Sequence, residues 1–177
     1  MTKVVRRAAM ALAVASIPCL LLAHACSAES EYRRGLSCFG EVGLAGHFPD
    51  RIPENAIDVY VDYFGGFGTF GLYLRYRVGR SEVEQTLGRY RVDAIARFYR
   101  GEWHLRDGSV YSGLSGAPVG LGREADGDGR NVPDSVEGII LKSNLLEDRE
   151  PGVGSARACG IAGDIETGEL LYWALKQ

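Results

Sequence analysis

The sequence lacks an apolar run long enough to cross a membrane. Its longest, Ala8 to Leu22, is interrupted only by Ser16 and Pro18, yet at about 15 residues it falls short of the roughly 20 that a spanning helix needs. Past that run there is no dense block of Lys or Arg, which argues against nucleic acid or an anionic lipid surface as partner. Histidine is scarce: His24, His47 and His104 are the three, and none stands in a His-x-x-x-His spacing that would set two metal ligands on one helix face. Ser115, in "SGLSGAP", lacks the G-x-S-x-G setting of a nucleophile elbow. Gly120-Leu121-Gly122 lacks the third glycine and the strand-to-helix context of a phosphate loop. No catalytic residue, no metal ligand set and no cofactor is therefore assigned.

What is present begins with an export pattern. Lys3, Arg6 and Arg7 form a basic start, the apolar run follows, and Ala23-His24-Ala25 is small at the two places that signal peptidase inspects. Cys26 comes next. Residues 22–26 resemble the lipobox of bacterial lipoproteins, with Leu22 one place early, Ala23 in the aliphatic position and His24 where a small or apolar residue is usual. A cut after Ala28 fits the small-x-small rule as well. Cys19 falls in the apolar run, which leaves Cys26, Cys38 and Cys159, an odd count that an oxidising compartment disfavours. Lipidation of Cys26, or its removal by the later cut, restores an even number. Cys26 is assigned as lipid attachment site, with polar residues 27–34 as a tether. Ser27 at the next position points to an outer-membrane lipoprotein facing the periplasm, favoured over a soluble periplasmic or secreted protein.

The remaining chain reads as one domain, residues 51–177, behind a lead-in of residues 26–50. Without the first 25 residues it carries 17 Lys+Arg against 23 Asp+Glu, a formal net of -6. Ile57, Val59, Val61 and Tyr63 alternate with polar residues, and Phe70, Leu72, Leu74, Tyr76 and Val78 do the same. These are two half-buried strands joined across Gly65-Gly66-Phe67-Gly68. Asp58 and Asp62 stand where they can face Arg75 or Arg77 across the pair. Ser81 and Glu84 make a capping-box signature, and Val83, Leu87, Tyr90, Ala94 and Phe98 share a helical stripe that Gly88 weakens midway. Trp103-His104-Leu105 and Val110-Tyr111 flank a turn at Asp107-Gly108. A glycine-rich loop covers residues 112–135. Short strands follow from Gly138 and around Cys159 to Ile165, and "LLYWAL" is a last strand behind the turn Glu166 to Glu169. The fold class is α+β: a mainly antiparallel sheet with local hairpins and one helix or helix pair on a face.

Ile52-Pro53-Glu54-Asn55-Ala56-Ile57-Asp58-Val59-Tyr60, Leu72 to Tyr76 and Ser81 to Glu84 together resemble a strand, strand, helix pattern of small uncharacterised bacterial envelope lipoproteins. The resemblance implies export and lipidation and brings no catalytic residues. A second stretch, Glu124 to Glu137, resembles the Asp-rich calcium repeats of extracellular proteins. Glu124, Asp126 and Asp128 precede Gly129 at calcium-loop spacing, and Asp134 and Glu137 stand where they would close the sphere. Arg130 and Asn131 interrupt that pattern, so the segment is read as a solvated acidic turn.

Cys38 and Cys159 are the two cysteines inside the folded part, and an exported chain favours a disulfide between them. The role that fits these readings is a non-catalytic binding or structural protein of the cell envelope, with an unknown envelope partner and a membrane contact only through its N-terminal lipid. The alternative is a periplasmic hydrolase working from His47 or His104 with a nearby carboxylate, Asp50 or Asp107.

Overall fold

A computed structural model of the chain describes residues 28–66, 69–99, 102–107, 110–111, 134–143 and 157–176. They form a helix α1 (28–40), strands β1 (Ile57–Gly66) and β2 (Thr69–Arg77), a helix α2 (Arg80–Tyr90), and strands β3 (Ala96–Tyr99), β4 (Glu102–Leu105), β5 (Val110–Tyr111), β6 (Val136–Ser143), β7 (Arg157–Asp164) and β8 (Glu169–Lys176). The eight strands make one sheet in the order β1-β2-β8-β7-β6-β3-β4-β5. Every pairing is antiparallel. The expected α+β class, with its hairpins β1-β2 and β4-β5, is the architecture found. The last strand enters between β2 and β7, so it joins the first hairpin to the rest of the sheet.

Alternation decides which side chains the sheet buries. Leu72, Leu74 and Tyr76 of β2 turn inward as their period of two requires. Phe70, predicted inward, is 37% exposed beside the turn of the hairpin. Ile57, also predicted inward, is 59% exposed. The cause is a register shift between Ile57 and Tyr60, where Asp58 takes a left-handed φ of 52°. One extra residue flips the side chains that precede it. Asp58 pairs with Arg77 across the hairpin, while Arg75 faces Glu169 on β8 at 3.7 Å. β1 is an edge strand, and Glu31 of α1 accepts a hydrogen bond from the Tyr63 backbone N–H at 3.3 Å. That bond and the shifted register at Asp58 blunt an edge that would otherwise invite another strand.

The helices differ from the sequence reading in two ways. α2 stops at Tyr90, and Phe98 of its predicted stripe lies on β3, because Ala96 and Phe98 are buried at a spacing of two rather than three or four. The capping box does not form. Gly79 is the N-cap, without a side-chain bond, and Ser81 lies within the first turn, while Glu84 accepts from Arg80 at 3.1 Å. Gly88 leaves α2 unbroken. α1 occupies the stretch read as a tether and lead-in. Tyr32 and Phe39 on it are fully or nearly fully buried, and Leu36 packs beside them, spaced by four and three as one helical stripe. Gly35 sits where α1 crosses β2, since a Cβ there would come within 2.5 Å of Leu72.

Two apolar clusters lie on the two faces of the sheet. On the helix face Tyr32, Phe39, Leu72, Leu74, Val83, Leu87, Ile139 and Ile161 pack together. On the other face Phe98, Trp103, Ile140, Ala162, Leu171 and Trp173 form the second. The Trp173 ring lies over Gly160 of β7.

Candidate functional site

Cross-strand partners point to the same face, so the register traces single rows of side chains across the sheet. One row on the helix face runs Val61, Leu74, Tyr172, Ile161, Ile139, Arg97, His104. It is apolar or aromatic under the helices and becomes cationic on β3 and β4. Arg91 approaches the same region from the C-cap of α2, and Arg106 from the residue after β4.

Beneath them lies Glu137 of β6, 7% exposed. A carboxylate so placed is costly unless it is paired and hydrogen-bonded. Arg91 supplies both: its Nε donates to Oε1 at 3.0 Å and to Oε2 at 3.1 Å, and its Nη2 donates to Oε2 at 2.5 Å. Arg97 donates to Oε1 through Nε at 3.0 Å and Nη2 at 2.7 Å. Burial pushes the Glu137 carboxyl upward, and the bonds from Arg91 and Arg97 outweigh it, so Glu137 is held below the usual glutamate value. The Arg91 guanidinium is correspondingly held above its own.

Arg91, Ala94, Arg97, Tyr99, His104 and Arg106 line a cavity of about 260 Å³. Arg106, which lines the cavity, donates through Nε to the Ala94 carbonyl at 3.1 Å, and its terminal nitrogens are not engaged by that bond. Tyr99 forms the aromatic part of the wall. The Arg97 guanidinium carbon sits 5.3 Å from its ring centre, and His104 stacks on it at 4.2 Å and 19°. Glu102, largely exposed, is 3.9 Å from His104 Nε2. Three guanidiniums against one buried carboxylate leave a local positive excess in an otherwise acidic chain. Such forks bind oxyanions through several N–H donors at once.

A larger hollow, about 420 Å³, lies between α2 and the segment holding Pro49 and Pro53. Its floor is less available: Tyr76 donates to the Tyr172 hydroxyl at 3.3 Å, and Glu82 accepts from Asn55 at 2.9 Å.

The residues singled out in the sequence are not brought together. His47 is buried against Phe48 and Tyr172. Its Nε2 lies 3.1 Å from the Trp173 carbonyl, which only accepts, so that nitrogen carries the proton. Burial pulls its pKa down to about 4, against the backbone bonds to Trp173 and Gly160, with Lys142 pulling the same way as burial. His104 belongs to β4, four strand spacings from β8, or about 19 Å. The two histidines therefore share no cleft. Cys38 and Cys159 form no disulfide, contrary to the expectation: Cys38 is exposed on α1 and accepts from the Tyr63 hydroxyl at 3.2 Å, while Cys159 is buried on β7. Glu137, a predicted closing ligand for calcium, is taken up instead by Arg91 and Arg97, whose guanidiniums occupy both its oxygens. Asp134 lies exposed in the turn before β6. Cys26, Glu124, Asp126 and Asp128 lie outside the described residues. Among the described residues no group of three or more His, Cys, Asp or Glu is arranged to hold a metal, and no helix is long and apolar enough to cross a membrane.

Sequence reasoning missed the arginine cluster because its members come from a helix end, a strand and a turn. A signal existed: eight arginines and only four carboxylates fall between Arg75 and Arg106. Comparison with protein-family models, with curated proteins and with solved structures finds no match to this chain.

Proposed function

We propose that this protein is exported, is held in the cell envelope through a lipid on Cys26, and binds a small anion without chemical turnover in the cleft of Arg91, Arg97 and Arg106. The observation that carries the binding role is Glu137. A buried carboxylate that fixes two guanidiniums, beside a third tied to Ala94, prepares a set of donors in advance of a ligand, and a ligand that meets fixed donors is spared the cost of ordering them. The separation of His47 from His104, and the use of His47 by a backbone carbonyl, favour binding over hydrolysis. The export reading rests on the basic, apolar and small-residue order of residues 1–26.

Two measurements test the two halves. Inorganic phosphate or sulfate at tens of millimolar should raise the Tm of the wild-type domain by mass action, by RT ln(1 + [L]/Kd) in stability. Arg106→Gln, on an exposed residue, should lose most of that rise, read against the variant's own Tm without anion. A wild-type Tm that no anion moves contradicts the binding role. Mass spectrometry of the mature protein should find acyl groups on Cys26, and an unmodified start at Cys26 or Glu29 contradicts the anchor.

A further inference from the structure

We infer that the ligand of the arginine cleft is a phosphate monoester, its dianionic phosphoryl group held by Arg91, Arg97 and Arg106 and its esterified ring laid against Tyr99. The inference deepens the anion-binding reading and rests on it.

The donor geometry separates phosphate from carboxylate. Arg91 and Arg97 each spend the Nε and Nη2 edge of the guanidinium on Glu137. The edge that best grips a planar carboxylate side-on is thus consumed in both. What remains is Nη1 and the second N–H of Nη2 on each, and both terminal nitrogens of Arg106, whose Nε is committed to Ala94. These donors start from three elements: the end of α2, the middle of β3 and the turn after β4. A phosphoryl group offers three oxygens in a tetrahedral spread and accepts from three directions; a carboxylate offers two oxygens in one plane.

Charge points the same way. After Glu137 is paired, the three guanidiniums retain two positive charges, offset in part by the exposed Glu102 beside His104, and a phosphate monoester near neutrality brings roughly -1.5 to -2 to meet them. A cavity of about 260 Å³ suits a phosphoryl group with one small ring rather than a polymer. Tyr99, 36% exposed and already stacked on His104, supplies an aromatic surface next to Arg97. The Arg97 guanidinium and the His104 ring lie over Tyr99, so a ring ester rests against its exposed edge while the phosphate reaches the arginines.

The same chemistry occurs in soluble sugar or aryl phosphates and in phosphorylated lipid headgroups. The test separates them. Calorimetric titration of the folded domain compares phenyl phosphate, glucose 6-phosphate and phenylacetate, and a flotation assay compares vesicles of phosphatidylcholine alone with vesicles containing phosphatidic acid. The expected result is that a phosphate monoester, free or in the vesicle, binds at least about tenfold more tightly than phenylacetate, and that Arg106→Gln removes most of the difference. Preference for phosphatidic acid vesicles without binding of the soluble esters supports the inference with a lipid source. Equal binding of phenylacetate and phenyl phosphate overturns the phosphate assignment and leaves the anion cleft standing. Binding of none of the probes overturns both. Tyr99→Ala should weaken phenyl phosphate while leaving inorganic phosphate unchanged; loss of both to the same degree overturns the ring placement.

Discussion

Gly160→Ala is expected to lower the stability of the domain by about 3 kcal/mol or more, the upper range for overpacking a sheet core. A Cβ at this position would stand 2.1 Å from the Ile139 carbonyl oxygen and 2.7 Å from the Trp173 ring. A side chain can rotate away from a methyl group. The Ile139 carbonyl belongs to the backbone of β6, which is paired with β7 along its length, so relief requires the two strands to separate or slide. Trp173 is 2% exposed and central to the second apolar cluster, so moving it opens that cluster as well. Against a total of roughly 5 to 15 kcal/mol for a domain, the loss is severe. Gly88→Ala is the control, since nothing lies within 4 Å of its Cβ position in α2 and helix propensity alone favours alanine by about 1 kcal/mol. Urea unfolding of both variants checks the pair. Equal midpoints for Gly160→Ala and wild type contradict the packing described.

The second large effect is acid sensitivity from His47. The unfolded chain takes up a proton there near its ordinary value, 6.5, and the folded chain refuses it until about 4. In that window the unfolded state binds more protons, so stability falls as pH falls. The neutral form is stabilised fully above pH 6.5, and the contribution is lost progressively down to about pH 4. The loss amounts to about 3 kcal/mol when complete. Glu137 and Asp164 extend it downward. Glu137 is lowered by Arg91 and Arg97 against its burial. Asp164 is lowered, also against burial, by the Glu166 and Thr167 backbone N–H groups, which donate to its Oδ1 at 2.9 and 3.4 Å. Both contribute stability present above the ordinary carboxylate range and lost as they protonate. His47→Gln should flatten the decline between pH 6.5 and 4.5 while leaving the steeper loss below it. Urea midpoints across this range decide the matter, and an unchanged slope in His47→Gln contradicts the assignment.

Much of the sheet was legible because strand alternation is a local property. Leu72, Leu74 and Tyr76 face inward as their spacing demands, and the turn before β8 falls at Gly168, where a left-handed φ of 76° and a Cβ position 2.3 Å from the Val78 carbonyl both require glycine. α1 was not legible as helix, because Gly35 and Gly40 and the charged residues 29–34 read as a polar tether. Its stripe of Tyr32, Leu36 and Phe39 gains meaning only against the β2 surface it covers. The disulfide expectation failed because cysteine counting carries no distance, and the fold sets Cys38 on an exposed helix face and Cys159 in the interior of the sheet. The arginine cleft was hidden for a related reason. Arg91, Arg97 and Arg106 meet only because β6 returns beside β3 and brings Glu137 beneath them, a pairing across about 40 residues that no local pattern announces.

The most direct test of the cleft is the arginine side-chain NMR spectrum of the folded domain, recorded with and without phenyl phosphate. Before ligand, the Nε–H signals of Arg91 and Arg97 should be protected from exchange by their bonds to Glu137. On addition, the terminal N–H signals of Arg91, Arg97 and Arg106 and the Tyr99 ring signals should shift together along one saturating curve, with the Nε–H protection retained. Shifts confined to other arginines, or no saturable shift at all, would contradict the account.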